Sequence, residues 1–256
     1  MTAAVGDEGR MGMGYGHRHV RLGRNAMEPF EITPGVFQVG GPDMTASEDA
    51  AVYLVDLGIP MLIDTGSGVN TKGLLRNILT VGYLPKDISL VILTHAHIDH
   101  IGGASFLKEK YDMRLAMHEL DVQAIETADR MRTAATWYNL DLQPARIKEV
   151  LKGEAGGFDA GVGQLHWLHT PGHTPGSIAL WVEAGIYRVL FAQDVHGPFY
   201  DVFGSDLDAW ADSMRKLIEL KADILCEGHF GVYKPASEAR RYIEDYLKNF
   251  GKMEDE

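Results

Sequence analysis

Apolar and polar positions along this chain follow two different periods, and the switches between them predict a mixed architecture. Alternating or continuously apolar runs at residues 31–39, 51–57 and 61–63 predict strands, and a helical period follows over residues 70–79. Leu90-Val91-Ile92-Leu93 is an unbroken apolar run with β-branched residues, the pattern of a strand buried on both faces. Helical periodicity resumes from Ile101, with Phe106 and Leu107 following. In the second half, residues 164–168, 178–182, 188–192 and 223–228 predict further strands. Trp210, Met214, Leu217 and Ile218 share one helical face, as do Ala239, Tyr242, Ile243, Tyr246, Leu247 and Phe250, so both stripes predict core-facing helices. Ser205 or Asp206 can cap the first, and Pro235 with Ser237 sits near the start of the second. Strands alternating with helices place the chain in α/β or α+β territory.

Composition narrows the class. A chain of 256 residues, 45% hydrophobic and 23% charged, is long enough for one sizeable core. One domain is expected over residues 28–256, preceded by a flexible tail over residues 1–27 that is rich in Gly, Arg and Met, contains His17 and His19, and lacks the apolar core of a secretory signal. No run approaches the roughly 18 apolar residues of a membrane helix, so no membrane partner is expected. A net charge of −12 without clustered Lys and Arg argues against nucleic acid. The single Cys226 excludes an intramolecular disulfide and reads as a buried small apolar residue; this fits a reducing cytoplasm, the expected location.

Candidate chemistry concentrates in Thr94-His95-Ala96-His97-Ile98-Asp99-His100-Ile101-Gly102-Gly103, where four metal-capable side chains fall within six positions at the end of a strand. The expected helix start at Ile101 places them on the strand-to-helix loop, where binding residues concentrate. Mixed imidazole and carboxylate donors suit zinc or another first-row transition metal better than calcium or magnesium. His95 and His97, two residues apart, can point the same way while Asp99 and His100 turn to a neighbouring position, which makes room for two ions. His173, in the Pro- and Gly-rich loop 169–177, Asp194 after residues 188–192 and His229 after residues 223–228 lie at further strand ends. A lone strand-end histidine is more often a hydrogen-bonded structural residue than a ligand, so each is weak alone.

Taken in order, Asp64 in Leu62-Ile63-Asp64-Thr65-Gly66, the His-x-His-x-Asp-His cluster, His173, Asp194 and His229 resemble the motifs of the metallo-β-lactamase fold superfamily, over about Phe30 to Phe250. The resemblance implies a four-layer αββα sandwich with the metals at one edge between two sheets. It implies one metal ion on His95, His97 and His173, a second on Asp99, His100 and His229, and Asp194 bridging them; no ligand position departs from the pattern. Asp64 would orient a ligand imidazole from outside the metal shell. Two zinc ions per chain are expected, with iron or manganese also compatible.

A dinuclear centre of this type would carry a hydroxide that attacks a carbonyl, with Asp99 shuttling a proton to the leaving group. The chain therefore reads as a dinuclear metal-dependent hydrolase of a small ester, lactone or thioester. Among the resembled branches, true β-lactamases usually lack the bridging carboxylate that Asp194 supplies, and glyoxalase-like thioesterases carry a basic C-terminal arm where residues 251–256 here are largely acidic. The stretch 169–176 resembles that of acyl-homoserine lactonases. The alternative class is a mononuclear iron-dependent oxidoreductase similar to the persulfide dioxygenases. Trp137 and Tyr138, in a segment that could roof the pocket, and Tyr200, a candidate oxyanion donor, are the expected substrate contacts. Packing or a homo-oligomer interface explains the Trp137 region equally well. His118 and His196 read as structural or outer-shell residues.

Overall fold

The computed structural model describes residues 27–250. The expected N-terminal tail, apart from Met27, and the acidic end at 251–256 lie outside the described residues. Seven strands form the first sheet in sequential order: β1 (Phe30–Thr33), β2 (Val36–Gly40), β3 (Val52–Val55), β4 (Met61–Ile63), β5 (Leu90–Ile92), β6 (Arg114–His118) and β7 (Glu149–Leu151). The strand expected over residues 31–39 is a hairpin, because Pro34-Gly35 turns the chain where the apolar alternation runs on. From β4 to β7 all pairings are parallel.

The second sheet contains β8 (Ala155–Asp159), β9 (Gln164–His169), β10 (Ile178–Ala184), β11 (Tyr187–Gln193), β12 (Ile224–Glu227) and β13 (Val232–Tyr233), in the order β13-β12-β11-β10-β9-β8. Only the β11–β12 pairing is parallel in it. The helices are α1 (Thr71–Thr80), α2 (Ile98–Ile101), α3 (Ala104–Tyr111), α4 (Glu119–Glu126), α5 (Ala135–Tyr138), α6 (Leu207–Glu219) and α7 (Ala236–Phe250).

Because strand side chains alternate between faces, a sheet buried on both sides feeds two cores. Tyr53, Ile63 and Ile92 point inward and meet Leu180, Phe191 and Cys226 of the other sheet. Leu54, Leu62 and Val91 point outward onto Leu74 and Ile78 of α1, Leu107 of α3 and Ile125 of α4. On the far side, Leu190 and Leu225 meet Trp210, Met214 and Leu217 of α6 and Tyr242 and Ile243 of α7. Three buried interfaces separate four layers, the αββα sandwich expected from the sequence. No helix among the described residues is long and apolar enough to cross a membrane.

Strand direction places the site. The carboxyl ends of β4, β5, β9, β11 and β12 reach one edge of the sandwich. The sheets are joined there by hydrogen bonds from the Ile178 amide to the Thr94 carbonyl (2.9 Å) and from the Ala51 amide to the Gly228 carbonyl (2.7 Å). Asp206 caps α6, accepting from the Ala209 amide, while Ser205 Oγ donates to the His173 carbonyl at 2.7 Å. Gly172 has φ +134°, and a Cβ there would lie 2.3 Å from the Cα of Trp210, so only glycine lets the His173 loop pass this close to α6.

Candidate metal centre

The cluster sits differently from expectation in one respect. Helix begins at Ile98 rather than Ile101, so His95 and His97 lie on the loop after β5 while Asp99 and His100 belong to the single turn of α2. The Thr65 amide and Thr65 Oγ1 both donate to the His100 carbonyl, holding that turn by tertiary contact where local periodicity would not start a helix.

Two groups of side chains converge at the edge: His95, His97, His173 and Asp194, and Asp99, His100, Asp194 and His229, with the ligand atoms of each group within 4.8 Å of one another. All are buried except His229, whose side chain is 21% exposed and forms the solvent-facing wall. Asp194 divides its oxygens. Oδ2 lies 3.4 Å from His173 Nε2 and 3.7 Å from His95 Nε2, whereas Oδ1 lies 3.2 Å from His100 Nε2 and 3.4 Å from His229 Nε2. His97 presents Nδ1 to His173 Nε2 at 2.8 Å.

The donor set fits a transition-metal centre. Nε2 of His95 and His100 and Oδ1 of Asp194 are buried without a hydrogen-bond partner, and each such atom costs about 1–3 kcal/mol unless something satisfies it. Three of them aimed at one small volume form a cradle for cations. Burial, reinforced by neighbouring imidazoles, holds His95 and His97 well below the ordinary histidine range, leaving neutral rings with free lone pairs. Burial acts the same way on His100 and His229, but Asp194 and Asp99 outweigh it and raise both well above that range. Burial pushes Asp99 up, yet His100 and His229 outweigh it and hold the carboxyl at about 2; Asp194 is lowered in the same manner, well below the usual carboxylate range.

Asp64, at the end of β4, is fully buried and meets His100 Nδ1 at 2.7 Å through Oδ2, so it fixes the ring whose Nε2 faces Asp194. It also accepts from the Thr94 amide and hydroxyl, both at 2.8 Å, and from Gln193 Nε2. Asp64 and Gln193 adopt left-handed backbone conformations (φ 61° and 51°), a departure from ordinary strand geometry at the point where each chain enters the site.

The three expected substrate contacts separate. Tyr138, on α5, reaches the centre: its hydroxyl donates to Asp99 Oδ2 at 2.9 Å, and burial together with Asp99 raises the phenol well above its ordinary value, keeping it a donor. Trp137 and Tyr200 stay at the rim, 50% and 48% exposed, their ring centroids 4.7 Å apart. Behind them Phe203 links the rim to the ligands, 4.9 Å from Trp137 and 4.4 Å from His97. His118 stacks on His169 and His196 bonds Glu227 through Nδ1 at 2.8 Å; neither belongs to a ligand group.

Sequence reasoning passed over Phe203, Gln193 and the buried acids Asp121 and Glu227. Glu227 accepts from the amides of His229 and Phe230 and shapes the His229 loop. It carries the same signal as Asp194, an acid ending an apolar strand, and could have been found by it. Asp121 resembles any acid in the first turn of an exposed helix.

Comparison with known proteins agrees with this geometry. The model of the metallo-beta-lactamase superfamily matches residues 49–229. The probable metallo-hydrolase YybB of Bacillus subtilis is 27% identical over 205 residues, spanning 78% of this chain and 81% of its own. The acyl-coenzyme A thioesterase MBLAC2 of Gallus gallus is 28% identical over 261 residues, 89% of this chain and 90% of its own. Among solved structures, BJP-1, a subclass B3 metallo-beta-lactamase of Bradyrhizobium japonicum, superposes with a TM-score of 0.72 at 25% identity, covering 89% of this chain and 93% of that one.

Proposed function

On the premise that this chain belongs to the metallo-β-lactamase superfamily, we propose that it is a dinuclear metal-dependent hydrolase acting on a small ester, lactone or thioester. The observation that carries this reading is the division of Asp194, one oxygen toward each ligand group. His95, His97 and His173 would hold one ion and Asp99, His100 and His229 the other, with Asp194 shared. Zinc suits this donor set, and iron or manganese could occupy it. When bound, the ions supply Lewis acidity that polarises the carbonyl and lowers the pKa of water toward about 7.

The protein's own groups do the rest. Asp64 holds the His100 ring in one tautomer through Nδ1. Asp99 would be the acid–base group: its carboxylate takes up the proton released by the attacking water and passes it to the leaving oxygen or sulfur, with Oδ2 held by the Tyr138 hydroxyl at 2.9 Å. Phe203, Trp137 and Tyr200 provide an apolar wall for the non-reacting part of the substrate. Resemblance to the thioesterase over most of both chains supports thioesters as the first class to assay.

Elemental analysis of protein purified without added metal, followed by a panel of lactone, thioester and ester substrates, tests the reading. Two ions per chain with turnover on one class is the expected result. One iron per chain with dioxygen uptake would replace it with the persulfide-dioxygenase-like reaction. Tyr138→Phe removes one hydrogen bond to a charged group, worth about 1.5–3 kcal/mol, so kcat should fall roughly 10- to 100-fold while KM moves little. Unchanged kcat would remove Tyr138 from the proton path.

A further inference from the structure

We propose that Asp121 is a positioning residue that clamps together the two loops carrying His95, His97 and His173, and thereby sets how tightly that group holds its metal ion. The inference rests on the reading of those three histidines as one ligand group. Asp121 lies on α4, which follows β6 of the first sheet, and is 2% exposed. Its Oδ2 accepts from the Ala96 amide at 2.9 Å, the one residue between His95 and His97. The same oxygen accepts from Thr174 Oγ1 at 2.7 Å, and Oδ1 accepts from the Gly176 amide at 2.8 Å. Thr174 directly follows His173 on the loop between β9 and β10 of the second sheet. A single carboxylate thus spans the gap between the sheets at the point where three ligands must meet.

The chemistry of the clamp admits one residue type. Ser177 Oγ accepts from the Thr174 amide at 3.1 Å and lies 2.8 Å from Thr174 Oγ1, so with Ser177 as donor the threonine proton is free for Asp121. Every partner of Asp121 is then a donor, and all three need acceptors. An amide side chain of the same shape would turn its NH2 group toward at least one of them and place donor against donor. Gly176 is fitted to the carboxylate as well, because a Cβ there would lie 2.6 Å from Asp121 Cγ. None of the three bonds touches a ligand ring. Their effect falls on the backbone that sets where His95, His97 and His173 stand.

Cobalt(II) titration of the full chain stripped of metal, read by d–d absorption and chelator competition, tests this. Asp121→Asn should weaken one of two cobalt ions roughly 10- to 100-fold, the range for outer-shell partners, and leave the other within about threefold. In a His95→Ala background, which disables the same group directly, Asp121→Asn should have no further effect on the remaining ion, a coupling expected only if both act at one site. Thr174→Val, which removes a single arm, should weaken the same ion to a smaller extent and serves if Asp121→Asn does not fold. Wild-type affinities in Thr174→Val and Asp121→Asn, or equal weakening of both ions, would overturn the proposal. If His95→Ala itself leaves cobalt binding unchanged, the assignment of the ligand group fails instead.

Discussion

Replacing Asp194 with alanine should reduce bound metal from the proposed two ions per chain to at most one and cut kcat by more than about 100-fold, beyond the roughly 10- to 100-fold usual for a residue that only orients a ligand. The reasoning is geometric. Among the described residues Asp194 is the one side chain common to both candidate ligand groups, and each of its oxygens faces two imidazole nitrogens belonging to one of them. Alanine removes a donor from each group at once. It also takes from His100 and His229 the carboxylate that does most to hold both above the ordinary histidine range. The fold should survive, since the packing of Phe191 and Leu190 on β11 is untouched. Metal analysis and circular dichroism on the same sample decide the matter. Two tightly held ions in a folded Asp194→Ala protein would contradict the bridge and with it the dinuclear reaction.

Asp64→Ala should be the most damaging single change to stability among the residues around the site. This fully buried carboxylate receives the Thr94 amide, the Thr94 hydroxyl, the His100 ring and the Gln193 amide. Truncation leaves those donors stranded, and removing one partner of a buried charged network typically costs about 3–5 kcal/mol. For a domain of this size each kcal/mol lowers Tm by about 2–4 °C, so a loss of roughly 6–20 °C is expected. Alanine also fits poorly at φ 61°, a conformation that Asp and Asn tolerate better. Asp64→Asn keeps the shape and the backbone preference and should fall between the two. A Tm within about 2 °C of wild type for Asp64→Ala would show that the network carries far less than its hydrogen bonds imply.

Which parts of this molecule could be read from its sequence follows from the range over which each signal acts. The runs at Met61–Ile63 and Leu90–Ile92 announce their strands because parallel pairing buries both faces, leaving a signature within a few residues. The His-x-His-x-Asp-His cluster is equally local. His173, Asp194 and His229 become legible as a set through their order and their places at strand ends. Long-range causes hid the remainder. The Ala-Gly-Gly-Phe-Asp strand β8 has little propensity of its own and exists through pairing with β9. The turn of α2 starts three residues before its apolar period because Thr65, 35 residues earlier, grips the His100 carbonyl. Asp121 finds its partners 25, 53 and 55 residues away, distances over which no periodicity reports.

That the proposed ligands come from strand ends in both sheets has a kinetic consequence. Neither half of the sandwich carries a complete set, since Asp194 and His229 are 97 or more positions beyond His97 and reach it only across the closed interface. A chain still searching for its native pairing offers the local His95–His100 cluster but no complete set, so tight binding of the ions should follow the crossing of the folding barrier. Their binding energy then appears as slower unfolding and longer persistence of the finished protein, with little acceleration of its formation.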